Sequence, residues 1–513
     1  MEDKILTLLK KLIALPSTTG STKEQQVETF LCDYLAHIPY FKAHKTGYGQ
    51  IPIPDDAYGR SIVYGFVQGA TNKTVILLNH HDVVETACYG KLSSAAYDME
   101  KITKLLCEDS SPASQDFKSG QWLGGRGSCD MKGGMAAQLC FLNEYAKNPC
   151  QGSLLFLSVA DEESFSAGIR EAISFLTKLQ KQNKLEYRLA INSEPNNRIK
   201  RRQIVPVGSV GKLLATVVIQ GKSVQLGEYA HGLNPLGLLA HLVAATEGKN
   251  TLRETYLGEK TIPPVWLNMR DRKENYDFSL PARAAGYCSF QTFAKNPDDI
   301  LALLKDKLAA AAKSYSKTQT AAEEFPVYTY STFLKKLQKK PGFATWQRKT
   351  LKLLTTTIAQ EKLSYPEATL RYLTAALDFS GITDPLALLA FAPPYYPPTN
   401  SKLMKKKYYQ NILAVLATCQ PVTYSEYFLG VSDCSYLGNT LQASGCPYNT
   451  NTPLWGSIYS FDQDALSNLQ IPFLLLGPWG KDLHQKTERV NIKSLTQELP
   501  KALQTVCNAA WKN

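Results

Sequence analysis

At 513 residues the chain is longer than a single hydrophobic core usually serves, so two domains, or one domain with a large insertion, are expected. Hydrophobic residues make up 44% and charged residues 20%, an ordinary globular balance that excludes collagenous, low-complexity and largely disordered classes. A formal charge of +12 admits an anionic partner, yet the basic runs Arg198–Arg202, Lys335–Lys340 and Lys402–Lys407 carry no nucleic-acid signature or stacking aromatics and read as solvated faces.

The N-terminal segment places Ile5, Leu8, Leu9, Leu12 and Ile13 on one stripe with lysines between them, which predicts an amphipathic helix. It lacks the uncharged core and cleavage site of a secretory signal. No later apolar run is long enough to span a bilayer; the longest, Leu386–Phe391, runs into Pro393, Pro394, Pro397 and Pro398. A cytoplasmic protein with no membrane or nucleic-acid partner is the expectation. Eleven cysteines without a Cys-x-x-Cys pair suggest reduced, mostly buried thiols.

Short apolar strands then alternate with amphipathic helices, the pattern of a mostly parallel α/β sheet covered by helices. Four strands end in polar clusters. Thr74–Leu78 leads to Asn79-His80, Leu154–Val159 to Asp161-Glu162-Glu163, Arg188–Ile191 to Glu194, and Phe473–Leu476 toward His484. Open α/β sheets bind ligands at the carboxyl ends of their strands, so these four ends can meet in one crevice. Residues 207–220 and 284–293 read as strands, followed by helices near 235–247 and 297–314, a separate α+β insertion. The expected division is therefore a catalytic domain in two parts, 1–205 and 321–513, around an inserted lid or dimerisation domain, 206–320. The segment 347–379 reads as mostly helical.

A dinuclear zinc hydrolase needs about three ligands on each metal, one bridging carboxylate and a separate base. His80-His81-Asp82 offers an imidazole with a carboxylate two residues on, able to orient its ring. Gly125–Gly134 sets Asp130 in a glycine-bracketed loop before a helix, the natural bridge. In Asp161-Glu162-Glu163 the adjacent glutamates diverge, so one can bind metal while the other reaches the water. Any one of these is more often structural or solvated; their order and their strand-end placement give them weight.

In these motifs the chain resembles the co-catalytic zinc family of aminoacylases, succinyl-diaminopimelate desuccinylase, acetylornithine deacetylase and glutamate carboxypeptidase. His80-His81-Asp82, Gly125–Gly134, Asp161–Glu163, Glu194-Pro195 and His484 occur in the family's order. The branch it is most similar to is the arginine-utilisation protein RocB, through Gly208–Leu213, Asn268–Glu274, Val431–Tyr436 and Gly477–His484. The resemblance implies a zinc-peptidase-like fold and two Zn2+ per subunit, with Co2+ or Mn2+ as substitutes. It puts His80, Asp130 and Glu194 on one metal and Asp130, Glu163 and His484 on the other. Glu162 becomes the general base for attack by a zinc-bridging hydroxide on a small N-acyl amino acid, dipeptide or related amide, with Asp82 supporting catalysis. It also implies a cis Asp130–Met131 peptide and a homodimer through the lid.

The family's lid histidine, which helps stabilise the oxyanion, is replaced here by Gln225. A glutamine amide donates a hydrogen bond but cannot become cationic. His231 is a candidate substitute, set against a plainer role near a helix start with Asn234 as N-cap and Pro235 first in the helix. Arg270 and Arg272 are candidate partners for a substrate carboxylate. No residue selects a guanidinium, although the resemblance points toward arginine metabolism. The alternative reading is a metal-binding protein of this fold with little hydrolytic activity, serving binding or regulation.

Overall fold

The apolar runs that close on polar residues lie side by side in space. The computed structural model describes residues 1–316, 325–361, 363–440 and 447–512. It divides into two units, one of Met1–Ser209, Thr399–Thr440 and Phe461–Asn513, the other of Val210–Pro398 and Leu441–Ser460.

The first unit is built on a six-stranded sheet in the order Tyr48–Pro52, Ser61–Val67, Ser153–Val159, Lys73–His80, Glu186–Asn192, Phe473–Leu475. The last four strands are parallel and the first two pair antiparallel at one edge. Ser153–Val159 is buried throughout, as expected for a parallel strand covered on both faces. The N-terminal helix Glu2–Ile13 turns its predicted stripe inward, and Ile5, Leu8, Leu9, Leu12 and Ile13 are all buried. Each such side chain contributes about 1.5–3 kcal/mol by leaving water.

The helix Lys132–Tyr145 packs against the same core. Gly134 permits this. A Cβ there would sit 2.3 Å from the Ser193 carbonyl oxygen, so any side chain would push the helix, and the Asp130 loop before it, away from the strand end that leads to Glu194.

The second unit carries a five-stranded sheet in the order Val265–Asp271, Arg283–Thr292, Gly211–Gln220, Leu386–Tyr396, Val327–Thr329. Val218, Leu388 and Ala390 join a core with the helices Tyr330–Leu337 and Tyr365–Ser380. The helices Pro235–Thr246 and Pro297–Ser316 lie close to the predicted spans. The insertion runs well past the expected 206–320, because Leu386–Tyr396 is a buried strand that pairs antiparallel with Gly211–Gln220 from Leu386↔Gln220 to Tyr396↔Lys212. Pro393 and Pro394 fall where the register shifts, the one place in a sheet interior where missing N–H donors are tolerated. Among the described residues no helix is long and apolar enough to cross a membrane, and every cysteine is a free thiol.

Candidate metal centre

His80 is the last residue of its strand, and its ring is fixed from one side by the following residues. Nδ1 lies 3.4 Å from Asp82 Oδ1 and 3.1 Å from the Asp82 carbonyl oxygen. That leaves Nε2 facing three carboxylates, 3.1 Å from Asp130 Oδ1, 3.6 Å from Glu194 Oε1 and 3.9 Å from Glu162 Oε2. The second oxygen of Asp130 is 3.2 Å from His484 Nε2, which also lies 3.1 Å from Glu163 Oε2. Asp130 thus presents one oxygen to each imidazole. The peptide bond after it, Asp130–Met131, is cis.

Asp82 has a second task beyond orienting His80. Its Oδ1 accepts the Glu162 N–H and its Oδ2 the Glu163 N–H, both at 3.1 Å. The turn carrying the two glutamates is thereby tied to the residue that orients the imidazole.

Two sets of donor atoms each lie within 4.8 Å of one another: His80, Glu162 and Glu194, and His80, Asp130 and Glu163. Glu162 therefore stands within reach of the same point as the proposed ligands. His484 closes the group from the rim with its side chain 50% exposed, in a left-handed backbone conformation (φ 63°).

The electrostatics follow from crowding. Burial pushes Glu162 and Glu194 well above the carboxylate range; His80 opposes this, while other carboxylates, Asp433 among them, add to it. Burial also raises Glu163, helped by Asp130. For Asp130, burial is outweighed by the hydrogen bonds from His484 and His80, which hold it below its usual range. Hydrogen bonds to Asp130 and Glu163 push His484 up to about 10. Nitrogen and carboxylate donors, packed so that like charges raise one another, are complementary to divalent cations, and imidazole with carboxylate suits zinc.

Two residues of this centre carry no role in the sequence reading. Glu488 is fully buried; its Oε1 accepts the N–H groups of Cys129 (3.2 Å) and Asp130 (3.3 Å), and its Oε2 pairs with Arg126 at 2.5 Å. It builds the loop that aims Asp130. A glutamate four residues after His484, together with the arginine of the Gly125–Gly134 motif, was the available signal. Breaking a buried pair leaves an uncompensated charge, so Glu488→Ala is expected to destabilise the fold by about 3–5 kcal/mol, read as a lowered denaturant midpoint. Asp433, within the singled-out stretch Val431–Tyr436, is buried, and burial pushes it up to about 7 against a hydrogen bond from Ser166.

The remaining candidates belong to the second unit. Gln225 is exposed and its Oε1 accepts the N–H of Gly227 at 2.6 Å. His231 is exposed and 3.7 Å from Glu228, and among the described residues it joins no group of candidate metal ligands. Asn234 caps the helix Pro235–Thr246 by accepting the Leu236 N–H. Arg272 makes two hydrogen bonds to Glu367, at 3.1 and 2.7 Å, and Arg270 one at 3.3 Å, so both guanidinium groups already hold a carboxylate of the protein. His37, His44 and His241 direct Nδ1 to the backbone carbonyl four residues earlier, a structural use.

Comparison with known proteins shows the family. Residues 105–511 match the model of peptidase family M20/M25/M40. The chain is 28% identical to protein YqjN of Bacillus subtilis, covering 100% of this chain and 97% of that one. It is 27% identical to protein RocB of the same organism, covering 95% and 91%. Among solved structures, an M20 family metallo-carboxypeptidase from Sulfolobus solfataricus superposes with a TM-score of 0.54 at 12% identity, covering 99% of each chain. The chain belongs to peptidase family M20/M25/M40 and is a metal-dependent hydrolase of amide bonds.

Proposed function

We propose that the chain binds two zinc ions, one through His80, Asp130 and Glu194 and one through Asp130, Glu163 and His484, and cleaves an amide of a small N-acyl amino acid, dipeptide or related compound. The observation that carries the proposal is the pair of Asp130 oxygens, 3.1 Å from one imidazole and 3.2 Å from the other, with Glu162 beside the same point. Bound metal would supply a Lewis acid for the scissile carbonyl and an activated water.

The chain's own groups do the rest. Glu162 takes the proton of the attacking water on its carboxylate and passes it to the leaving nitrogen. Burial raises its proton affinity toward what that shuttle needs, and the cations offset part of the rise. Asp82 holds the His80 ring and both glutamate amides, so base and ligand keep a fixed spacing. The test is a hydrolysis screen over N-acyl amino acids and dipeptides with zinc quantified on the same sample. Bound zinc without turnover on any substrate favours the alternative, a metal-binding protein with an inactive lid, which Gln225 motivates. Glu162 within the donor group speaks for the enzyme, since a binding protein has no use for a base there.

Zinc uptake should release protons. His80 and His484 are held above their ordinary values, so below those values each carries a proton that the metal must displace. Apparent zinc affinity is expected to weaken as pH falls. Calorimetry in buffers of different ionisation enthalpy checks this, and buffer-independent heats would contradict it.

We also propose a homodimer through the second unit. Val265–Asp271 is an edge strand with Leu267 54% and Met269 42% exposed, an apolar edge that a second copy would cover. Leu267→Lys is expected to shift the mass in solution from dimer to monomer, and a wild-type protein already monomeric at micromolar concentration removes the proposal.

A further inference from the structure

The turn that presents Glu162 and Glu163 is held in part from outside the recognised motifs. Asp161 adopts a left-handed backbone conformation, φ 70°, which a residue with a side chain keeps only where its surroundings hold it. Three successive amides of the turn are captured by two buried carboxylates: Asp161 N–H by Glu24 Oε2 at 3.1 Å, and the Glu162 and Glu163 N–H groups by Asp82.

Glu24 opens the helix Glu24–His37 and is 0% exposed. Its other oxygen accepts from the Gly20 N–H and from Arg60 Nη1, each at 3.0 Å. Each of these three hydrogen bonds comes from a donor, while burial and the nearby Asp82 push the Glu24 carboxyl up to about 9 against the pull of Arg60. Arg60, also buried, bonds Asp161 Oδ1 through the same Nη1 at 2.6 Å, and its Nη2 and Nε take Asp56 at 2.7 and 3.1 Å. The free geometry of Asp161 is thereby used up. Its Oδ2 accepts the Ala167 N–H, and its carbonyl oxygen accepts those of Ser164, Phe165 and Ser166.

We infer that Glu24 and Arg60 are positioning residues of the metal centre: together they lock Asp161 in its left-handed conformation and so set the directions in which Glu162 and Glu163 point. The inference rests on the reading of Glu163 as a ligand and Glu162 as the base. The planar guanidinium matters here because one fork holds three carboxylates at fixed angles, which a lysine cannot do. Supporting groups of this kind cost about 10–100-fold in metal affinity or activity when removed.

The experiment compares wild type with Glu24→Gln, Glu24→Ala and Arg60→Lys in zinc-loaded protein, reading kcat, KM, Tm and zinc affinity by chelator competition. Arg188→Gln is the control, a buried arginine paired with Glu186 at the opposite end of a sheet strand. Arg60→Lys and Glu24→Ala are expected to lower kcat about 10–100-fold with KM nearly unchanged, and to weaken one zinc site about tenfold. Glu24→Gln, which keeps an acceptor for the Asp161 N–H, should recover much of both.

Folded variants with wild-type kcat and zinc affinity would overturn the inference. So would losses that Arg188→Gln reproduces at the same fall in Tm, since these would mark a general structural effect. Arg60→Lys carries the test if Glu24→Ala does not fold. Should wild type bind zinc and hydrolyse nothing, the hydrolase reading fails while the zinc affinities still decide the role of Glu24 and Arg60.

Discussion

Glu162→Gln is expected to lower kcat about 10²–10⁴-fold while zinc content and KM stay close to wild type. The substitution preserves shape and removes only the ability to accept a proton. The backbone of residue 162 remains tied to Asp82 Oδ1, so the side chain should keep its place 3.9 Å from the His80 ring nitrogen. Burial and the nearby Glu194 and Asp433 raise the Glu162 carboxyl against the pull of His80, which suits it to hold a proton between attack and departure. Equal turnover in wild type and variant would remove Glu162 from the mechanism.

Asp130→Ala should be more damaging, because it acts on both metal positions at once. Asp130 Oδ1 faces His80 and Oδ2 faces His484, so its removal leaves each imidazole with only one-sided carboxylate partners. The loop itself should persist. The Cys129 and residue-130 amides are held by Glu488, which pairs in turn with Arg126, and none of these bonds uses the Asp130 side chain. A folded protein with sharply reduced zinc content and kcat lowered more than about 10²-fold is expected. Zinc analysis beside circular dichroism separates loss of metal from loss of fold. A variant that keeps two tightly bound ions would show that Asp130 does not bridge.

Much of this was legible in the chain because the signals are local. Each strand of the parallel sheet is an apolar run that stops at a polar cluster, and the stop marks the ligand-bearing end. The N-terminal helix and that at Pro235–Thr246 follow from local pattern in the same way, whereas 347–379 reads as helical without its division into Phe343–Glu361 and Tyr365–Ser380. What stayed hidden depends on distant pairing. Leu386–Tyr396 reads as an apolar run stopped by prolines, and only its ladder with Gly211–Gln220, more than 160 positions earlier, shows that the insertion extends beyond residue 320.

Buried charges were hidden for the same reason. Glu24 sits among polar neighbours on an amphipathic helix, and nothing nearby reveals that it meets the Asp161 amide 137 residues on. Glu488 and Arg126 are 362 residues apart. A lone charge in a sequence window looks solvated, because its partner, which alone makes burial tolerable, lies outside the window. Arg270 and Arg272 show the converse: an arginine pair that looks free for a substrate is held by Glu367.

The most direct test is a metal titration of turnover. The protein is stripped with chelator, dialysed, and assayed on the best substrate of the amide screen as zinc is added back. The account predicts no turnover in the stripped protein and recovery that reaches its plateau at two zinc ions per chain. Full turnover after complete removal of metal, or added zinc that restores nothing to a folded protein, would contradict it.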